Sequence, residues 1–567
     1  MPYRAPVAEF EFLLSHVVGY DRVTATEAHA EATPDMVHAL LTEAGRICEE
    51  VLAPLNRAGD MTPARLENGV VRTSPGYADG YRAMAEAGMT AVSADPEYGG
   101  LGLPQTVTTC VNDMAGAACL ALQMNPLMTQ GQIEALENHA TDGIKALYLP
   151  KLISGEWCGT MNLTEPQAGS DVGALSTKAE PAGDGTYRIT GQKIYISWGD
   201  NDFTGNVVHL VLARLPDAPK GTKGISLFLV PKLIPEADGT PGVANSLKVV
   251  SLEHKLGLHG SPTCVMQYDG ATGWLIGEEN RGMAAMFTMM NNARLGVAVH
   301  GVSIADAATQ AAVAYATDRT QGKPLVEGGT GTILDHADVR RMLMEMKAET
   351  FAARAMALDL AVSIDLGHAG DAAQAARAAV LTPIAKAYGT ETGIKLANIG
   401  IQVHGGMGFI EETGVAQYLR DVRVSAIYEG TNGIQAMDLV GRKMMDGGAA
   451  IHALIDAVEA EAEAHEMGAP VAAMAGALRA ATEDMLGRDL NDRFGGAVPY
   501  LMGFARVMGA LYHLRAATAG DTAGDRMRTA LARFYIARLL PEAHGLFAQA
   551  RAGAADLYDL SADELAA

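Results

Sequence analysis

Tyr428-Glu429-Gly430-Thr431-Asn432-Gly433-Ile434-Gln435 decides how this chain is read. It sets one carboxylate between an aromatic ring and a glycine, just ahead of an apolar-periodic segment. Asn432 and Gln435 have the spacing of a helix N-cap and its reciprocal partner, which predicts a helix starting at Asn432. Glu429 then lies on a loop that rigid structure holds, and a carboxylate so placed is suited to act as a general base in a cavity. Upstream, Gln402-Val403-His404-Gly405-Gly406-Met407-Gly408-Phe409 reads as a glycine turn. It lacks the G-x-G-x-x-G spacing of a nucleotide turn after a strand. Its adjacent glycines let backbone N–H groups approach a ligand closely.

Outward from this stretch the pattern is helical, then β, then helical again. Met36, Leu40, Leu41, Ala44 and Ile47 recur at helical spacing, as do Cys110, Met114, Ala117 and Ala118. Short β-type runs separated by Gly-, Pro- and Asp-containing turns occupy 187–190, 193–197, 207–213, 225–230, 247–250 and 264–268, predicting a small antiparallel, barrel-like sheet. Long periods return at Gly282. One helix begins with Met283, Met286, Met289 and Met290, Asn291 to Arg294 opens a long helix, and others carry Met342 to Met356 and 372–399. The expected layout is an N-terminal extension (1–35), a helical domain (36–157), a middle β domain (158–280), a helical domain with the candidate base (281–446) and an additional helical domain (447–567). The fold class is mainly α with a central small β domain. The helical halves and the sheet would leave a cleft at their junction for a flat cofactor.

Composition limits the function classes. With 567 residues, 49% of them apolar, the chain supports several packed domains. A net charge of −23, with no Lys after residue 447, argues against nucleic-acid binding. A polyanionic ligand must therefore be met by a local cluster of donors. Five cysteines at long spacings, without C-x-x-C, point to reduced buried thiols, with neither a disulfide framework nor a zinc site. No apolar signal core follows Met1-Pro2-Tyr3-Arg4-Ala5-Pro6, and no uninterrupted apolar run reaches about 18 residues. A cytoplasmic protein with no membrane span and no metal is expected.

Four further motifs carry possible chemistry. Thr164-Glu165-Pro166-Gln167-Ala168-Gly169-Ser170-Asp171 is a polar loop rich in donors, by itself no more than a capped turn. Lys193-Ile194-Tyr195-Ile196-Ser197 is a strand that sets Tyr195 and Ser197 on one face. Arg294 could meet a phosphate or simply be a solvated charge. Asp318-Arg319-Thr320-Gln321-Gly322-Lys323 ends a helix in a turn.

In this order these motifs resemble the flavin-dependent acyl-CoA dehydrogenases over residues 80–445. The resemblance implies FAD contacts by Met161, Leu163, Thr164, Tyr195, Ser197 and Thr431. Across a subunit interface it implies FAD contacts by Arg319, Gln321, Gln402, Val403, Gly405 and Gly406. It implies substrate contacts by Ser170, Asn291, Arg294, Tyr428 and Gly430. Tyr195 and Ser197 stand where the family commonly has Trp and Thr, and Asn291 where it usually has an acidic residue. Glu429 is the implied catalytic base for the α-proton of an acyl-CoA thioester, and the β-hydrogen would leave as hydride to flavin N5. The thioester carbonyl would be held by the Glu429 N–H and a flavin ribityl hydroxyl. Enclosure by the acyl chain would strengthen this base, while the following helix N-terminus would weaken it.

The helical domain after Gly448 and the N-terminal segment with Phe10 and Phe12 resemble the longer bacterial members, a group that includes enzymes of 3-(methylthio)propanoyl-CoA and dimethylsulfoniopropionate breakdown. The implied partners are an acyl-CoA substrate, an electron-transfer flavoprotein or similar acceptor, and a second copy in a homodimer. The reaction so implied is dehydrogenation of 3-(methylthio)propanoyl-CoA to its 2-enoyl-CoA, with short- or medium-chain or aryl acyl-CoA dehydrogenation and acyl-CoA oxidation as alternatives. A DNA-associated relative would need a basic C-terminal surface, and a nitroalkane oxidase would carry Asp at the position of Glu429.

Overall fold

The apolar runs between residues 157 and 276 form one mixed sheet. A computed structural model describes residues 3–523 and 525–567, with backbone alone at 520–523; Met1 and Pro2, which begin the N-terminal motif, lie outside the described residues. The sheet order follows strands Trp157–Asn162, Asn206–Ala213, Ser226–Pro231, Thr263–Ile276, Tyr187–Ser197 and Lys178–Pro181, with Leu247–Leu252 also paired to Thr263–Ile276. A bridge between Lys178 and Arg214 turns the last strand back toward the end of Asn206–Ala213, which gives the barrel-like curl. The expected antiparallel sheet needs one correction. Trp157–Asn162 runs parallel to Asn206–Ala213, which the long intervening segment permits.

Both faces of the central strands are covered, so Asn206–Ala213 and Ser226–Pro231 are buried at every position. Val208, Leu210, Leu212, Leu227 and Leu229 pack with residues of helices Gln105–His139 and Asp142–Ile153 and with Met286 and Met289. Val211, Phe228, Val230, Ile189, Ile196 and Tyr268 form the opposite cluster. Helix Gln105–His139 breaks at Cys119, whose backbone leaves helical geometry. All five cysteines are free thiols and buried.

This sheet and its helices make one unit, residues 39–296; residues 3–38 and 297–567 make the other. In the second unit, helices Ala337–His368 and Ala372–His404 pack along each other, and Ala497–Ala523 packs on both. One helix, Gly282–Asp318, replaces the two expected there, so Asn291 to Arg294 lie inside it rather than at its start. It is long and apolar enough to cross a membrane, but it is mostly buried within the protein, as a core helix is. Helix Val7–His16 packs onto the C-terminal helices: Glu9 pairs with Arg528, whose guanidinium lies 4.3 Å from the Phe12 ring centroid, and Arg515 donates to the Val17 carbonyl at 3.1 Å.

Candidate active site

The turn around Glu429 is built from an unusual backbone. Glu429 has φ of 56° and Gly430 follows at 84°, two consecutive left-handed residues of which only the glycine adopts this region without cost. Glu429 is half-buried. The following helix is Asn432–Val440, and its N-cap is Thr431, whose Oγ1 accepts from the Ile434 N–H at 3.3 Å. The expected cap, Asn432, is thus one position late. Its amide instead ties the turn to helix Ala372–His404, accepting from Lys386 Nζ at 2.9 Å and donating to Glu391 at 2.7 Å. Gln435 reaches back as anticipated, but to the carbonyls of Glu429 and Gly430, at 3.2 and 3.4 Å, rather than to the cap N–H. Tyr428 shares a 2.8 Å hydrogen bond with His300 Nδ1. Burial lowers His300 to about 3 and pushes the Tyr428 phenol well up, so both are neutral.

Arg319 and Gln321 are exposed just beyond helix Gly282–Asp318. The Gln321 carbonyl is held by His336 at 2.7 Å. Gln402 and Val403 do not belong to the glycine turn. They complete helix Ala372–His404, Val403 is buried, and the turn is Gly405–Phe409. His404 stacks on Tyr315 at 4.3 Å between ring centroids. The two candidate cofactor segments therefore leave from neighbouring helix ends. A methyl group at Gly405 or Gly406 would touch nothing within 4 Å, so these backbone groups are open to a ligand.

In residues 39–296, the Ile194 N–H donates to the Thr164 carbonyl at 2.9 Å, which lays the strand bearing Tyr195 and Ser197 beside Leu163-Thr164. A bulge here gives Tyr195 φ of 60° and leaves it 62% exposed, while Ser197 and Met161 are half-buried. Glu165, by contrast, is buried and structural. Its carboxylate accepts from Lys193 Nζ (2.9 Å), the Ser176 and Thr177 N–H groups (2.7 and 2.9 Å) and both of their hydroxyls (2.8 and 2.5 Å). Burial pushes its acidity the other way, but Lys193 and these donors hold it at about 2. Lys193 also donates to the Leu163 carbonyl at 2.9 Å, fixing the loop on the strand. Ser170 and Asn291 are exposed and Arg294 is buried.

Four family models match in chain order: acyl-CoA dehydrogenase N-terminal domain over 35–156, middle domain over 160–271, C-terminal domain over 280–445, and acetyl-CoA dehydrogenase C-terminal like over 449–561. The 3-methylmercaptopropionyl-CoA dehydrogenase of Ruegeria pomeroyi is 45% identical over 521 residues, covering 88% of each chain. The chain belongs to the acyl-CoA dehydrogenase family. It is an FAD-dependent oxidoreductase. A butyryl-CoA dehydrogenase of Syntrophomonas wolfei is 36% identical over 430 residues, 72% of this chain and 70% of that one. Caenorhabditis elegans ACDH-11, solved with C11-CoA, has a TM-score of 0.78 over 94% of this chain and 91% of its own, and at 21% identity it speaks for the fold.

The residues of this dehydrogenase fit FAD. An open patch joining apolar Met161 and Leu163 with the hydroxyls of Thr164 and Ser197 and the Tyr195 ring suits a flat, edge-polar ring system. The exposed Arg319 and the open Gly405-Gly406 backbone suit a pyrophosphate. Three supports of these segments escaped the sequence reading: Lys386 and His300 at the Glu429 turn, and the Glu165–Lys193 pair under the loop. A charged residue inside the apolar run Pro383-Ile384-Ala385-Lys386-Ala387-Tyr388 was the available signal, since Lys is rarely buried without a partner.

Proposed function

We propose that this dehydrogenase oxidises 3-(methylthio)propanoyl-CoA to its 2-enoyl-CoA, with Glu429 as the base. The 45% identity across 88% of both chains to 3-methylmercaptopropionyl-CoA dehydrogenase carries the reading of the substrate. The strained, glycine-flanked setting of Glu429 supports its role, because backbone strain of this kind persists where a side chain must be aimed. Glu429 takes the proton from the carbon next to the thioester. Its backbone N–H faces the thioester oxygen as negative charge develops there. Tyr428, Gly430, Ser170, Asn291 and Arg294 hold the substrate. Met161, Leu163, Thr164, Tyr195, Ser197 and Thr431 hold FAD, joined by Arg319, Gln321, Gly405, Gly406 and the end of the helix at Gln402-Val403 from a second copy. The chemistry FAD supplies when bound is acceptance of the β-hydrogen as hydride.

The protein acts as a cytoplasmic homodimer, and an electron-transfer flavoprotein or similar acceptor takes the electrons. Exposed Leu325, Met407 and Phe409, on the two segments that would reach the neighbouring FAD, support the dimer. Domains at 36–157, 158–280, 281–446 and 447–567 divide the work as helical wall, flavin sheet, base-bearing bundle and added brace, with 1–35 as an extension.

Anaerobic flavin bleaching with a panel of CoA thioesters tests the proposal. 3-(Methylthio)propanoyl-CoA should give the highest kcat/KM, about ten- to a hundredfold above butyryl-CoA, because a change of about one methylene in a pocket is worth no more. Glu429→Gln should keep FAD and bind the thioester while bleaching about 10²–10⁴ times more slowly. Bleaching at the wild-type rate would remove Glu429 from its role. A preference for butyryl-CoA would favour a short-chain enzyme, and peroxide release without an acceptor would favour an oxidase.

A further inference from the structure

Helix Ala372–His404 passes beneath the turn that carries Glu429 and puts one wholly buried lysine there. Lys386 is 0% exposed. Its Nζ donates to the Gly430 carbonyl at 2.9 Å and to Asn432 Oδ1 at 2.9 Å. Both acceptors belong to the segment immediately after Glu429. The Gly430 carbonyl also takes a longer bond from Gln435, at 3.4 Å. One turn along the same helix, Thr390 and Glu391 engage the other end of the Asn432 amide at 3.1 and 2.7 Å. The loop is therefore gripped at a backbone carbonyl and a side-chain amide by consecutive turns of one helix. Glu429 itself is at φ 56°, a conformation that a residue with a Cβ leaves readily unless its neighbours hold it.

We propose that Lys386 is a positioning residue for the proton abstraction, keeping the left-handed Glu429-Gly430 turn in the one conformation from which the carboxylate reaches the substrate α-carbon. The idea rests on Glu429 being the base. Misplacement by about 1 Å is enough to cost on the order of 10²-fold in rate. Removing the amino group takes the shortest bond from each acceptor, leaving the Gly430 carbonyl to Gln435 at 3.4 Å and Asn432 Oδ1 to the Thr390 hydroxyl at 3.3 Å, and this looser hold lets the turn relax. Substrate and cofactor affinity do not depend on this turn alone, so the loss falls on kcat.

The test measures exchange of the α-proton of 3-(methylthio)propanoyl-CoA with deuterated water in the anaerobic holoenzyme. FAD content, thioester dissociation constant and thermal midpoint are read in parallel. Lys386→Met should exchange about a hundredfold more slowly and Lys386→Gln, which keeps a donor, about tenfold more slowly. Both should hold FAD stoichiometrically, with KM within about threefold of wild type. Glu429→Gln, run alongside, should exchange about 10²–10⁴ times more slowly, and if it exchanges at the wild-type rate, the base assignment fails independently of Lys386. With Glu429→Gln slowed in this way, wild-type exchange in Lys386→Met overturns the positioning role. So does a loss in both lysine variants that is matched by equal loss of FAD or thioester binding. If Lys386→Met does not fold, Lys386→Gln alone decides: a tenfold loss in kcat at unchanged KM supports the role, and an unchanged rate overturns it.

Discussion

Single residues in this enzyme are held where their own chemistry would not put them. Glu429 and Tyr195 both occupy the left-handed region, which costs an L residue about 1–2 kcal/mol. Tyr195→Gly should relieve that cost. Because the ring is mostly exposed in the free protein, little burial is lost in exchange. The apo-protein should gain up to about 1 kcal/mol in denaturant unfolding, while FAD binds more weakly in a fluorescence titration. A destabilised apo-protein would mean that the ring serves the fold rather than the cofactor. Sequence and structure part company over these residues in an instructive way. Glu429 was legible because glycines and a helix start surround it. The handedness of Tyr195 was not, because strand alternation around it reads the same with or without the bulge.

At the scale of elements, the loop at 163–177 owes its shape to a buried ion pair that the sequence hides in plain polar residues. Lys193→Met should cost about 3–5 kcal/mol, because it leaves the Glu165 carboxylate buried with one cationic partner fewer. The double variant Lys193→Met with Glu165→Gln should recover part of that loss, measurable as a non-additive cycle in chemical denaturation. The long helices were readable from their period, and their failures were local. The period cannot separate one 37-residue helix from two abutting ones, so Gly282–Asp318 was divided. At the helix after Glu429, Thr431 and Asn432 are both good caps, and only the claim of Lys386 and Glu391 on the asparagine gives the role to Thr431. The parallel pairing of Trp157–Asn162 is a matter of topology, which alternation cannot register.

Across the whole molecule, buried charge joins the added C-terminal helices to the helices beneath the Glu429 turn. Glu349, on helix Ala337–His368, accepts from Arg506 at 2.5 Å and from Tyr388 at 2.5 Å. Burial alone would raise the Glu349 carboxyl; Arg506 and Lys395 outweigh it and hold it at about 2, against an ordinary 4.5. A carboxyl depressed in the folded state binds its proton more readily when unfolded. Its stabilisation is complete above pH 4.5 and is lost as pH falls through 2, and Glu165 behaves alike. Circular dichroism across that window should show a steep acid transition, shallower in Glu349→Gln; a transition of unchanged steepness would count against the assignment. No local pattern marks this seam, because Glu349 and Arg506 stand 157 positions apart and become neighbours only on folding. A different consequence follows from the clasp of Glu9 and Phe12 on Arg528, 519 positions apart from Glu9. A ribosome adding about 5–20 residues per second must work for roughly half a minute to two minutes after Glu9 emerges before its partner exists. Throughout that time the Phe12 side of the nascent N-terminal helix travels without its clasp, until the last helices leave the exit tunnel.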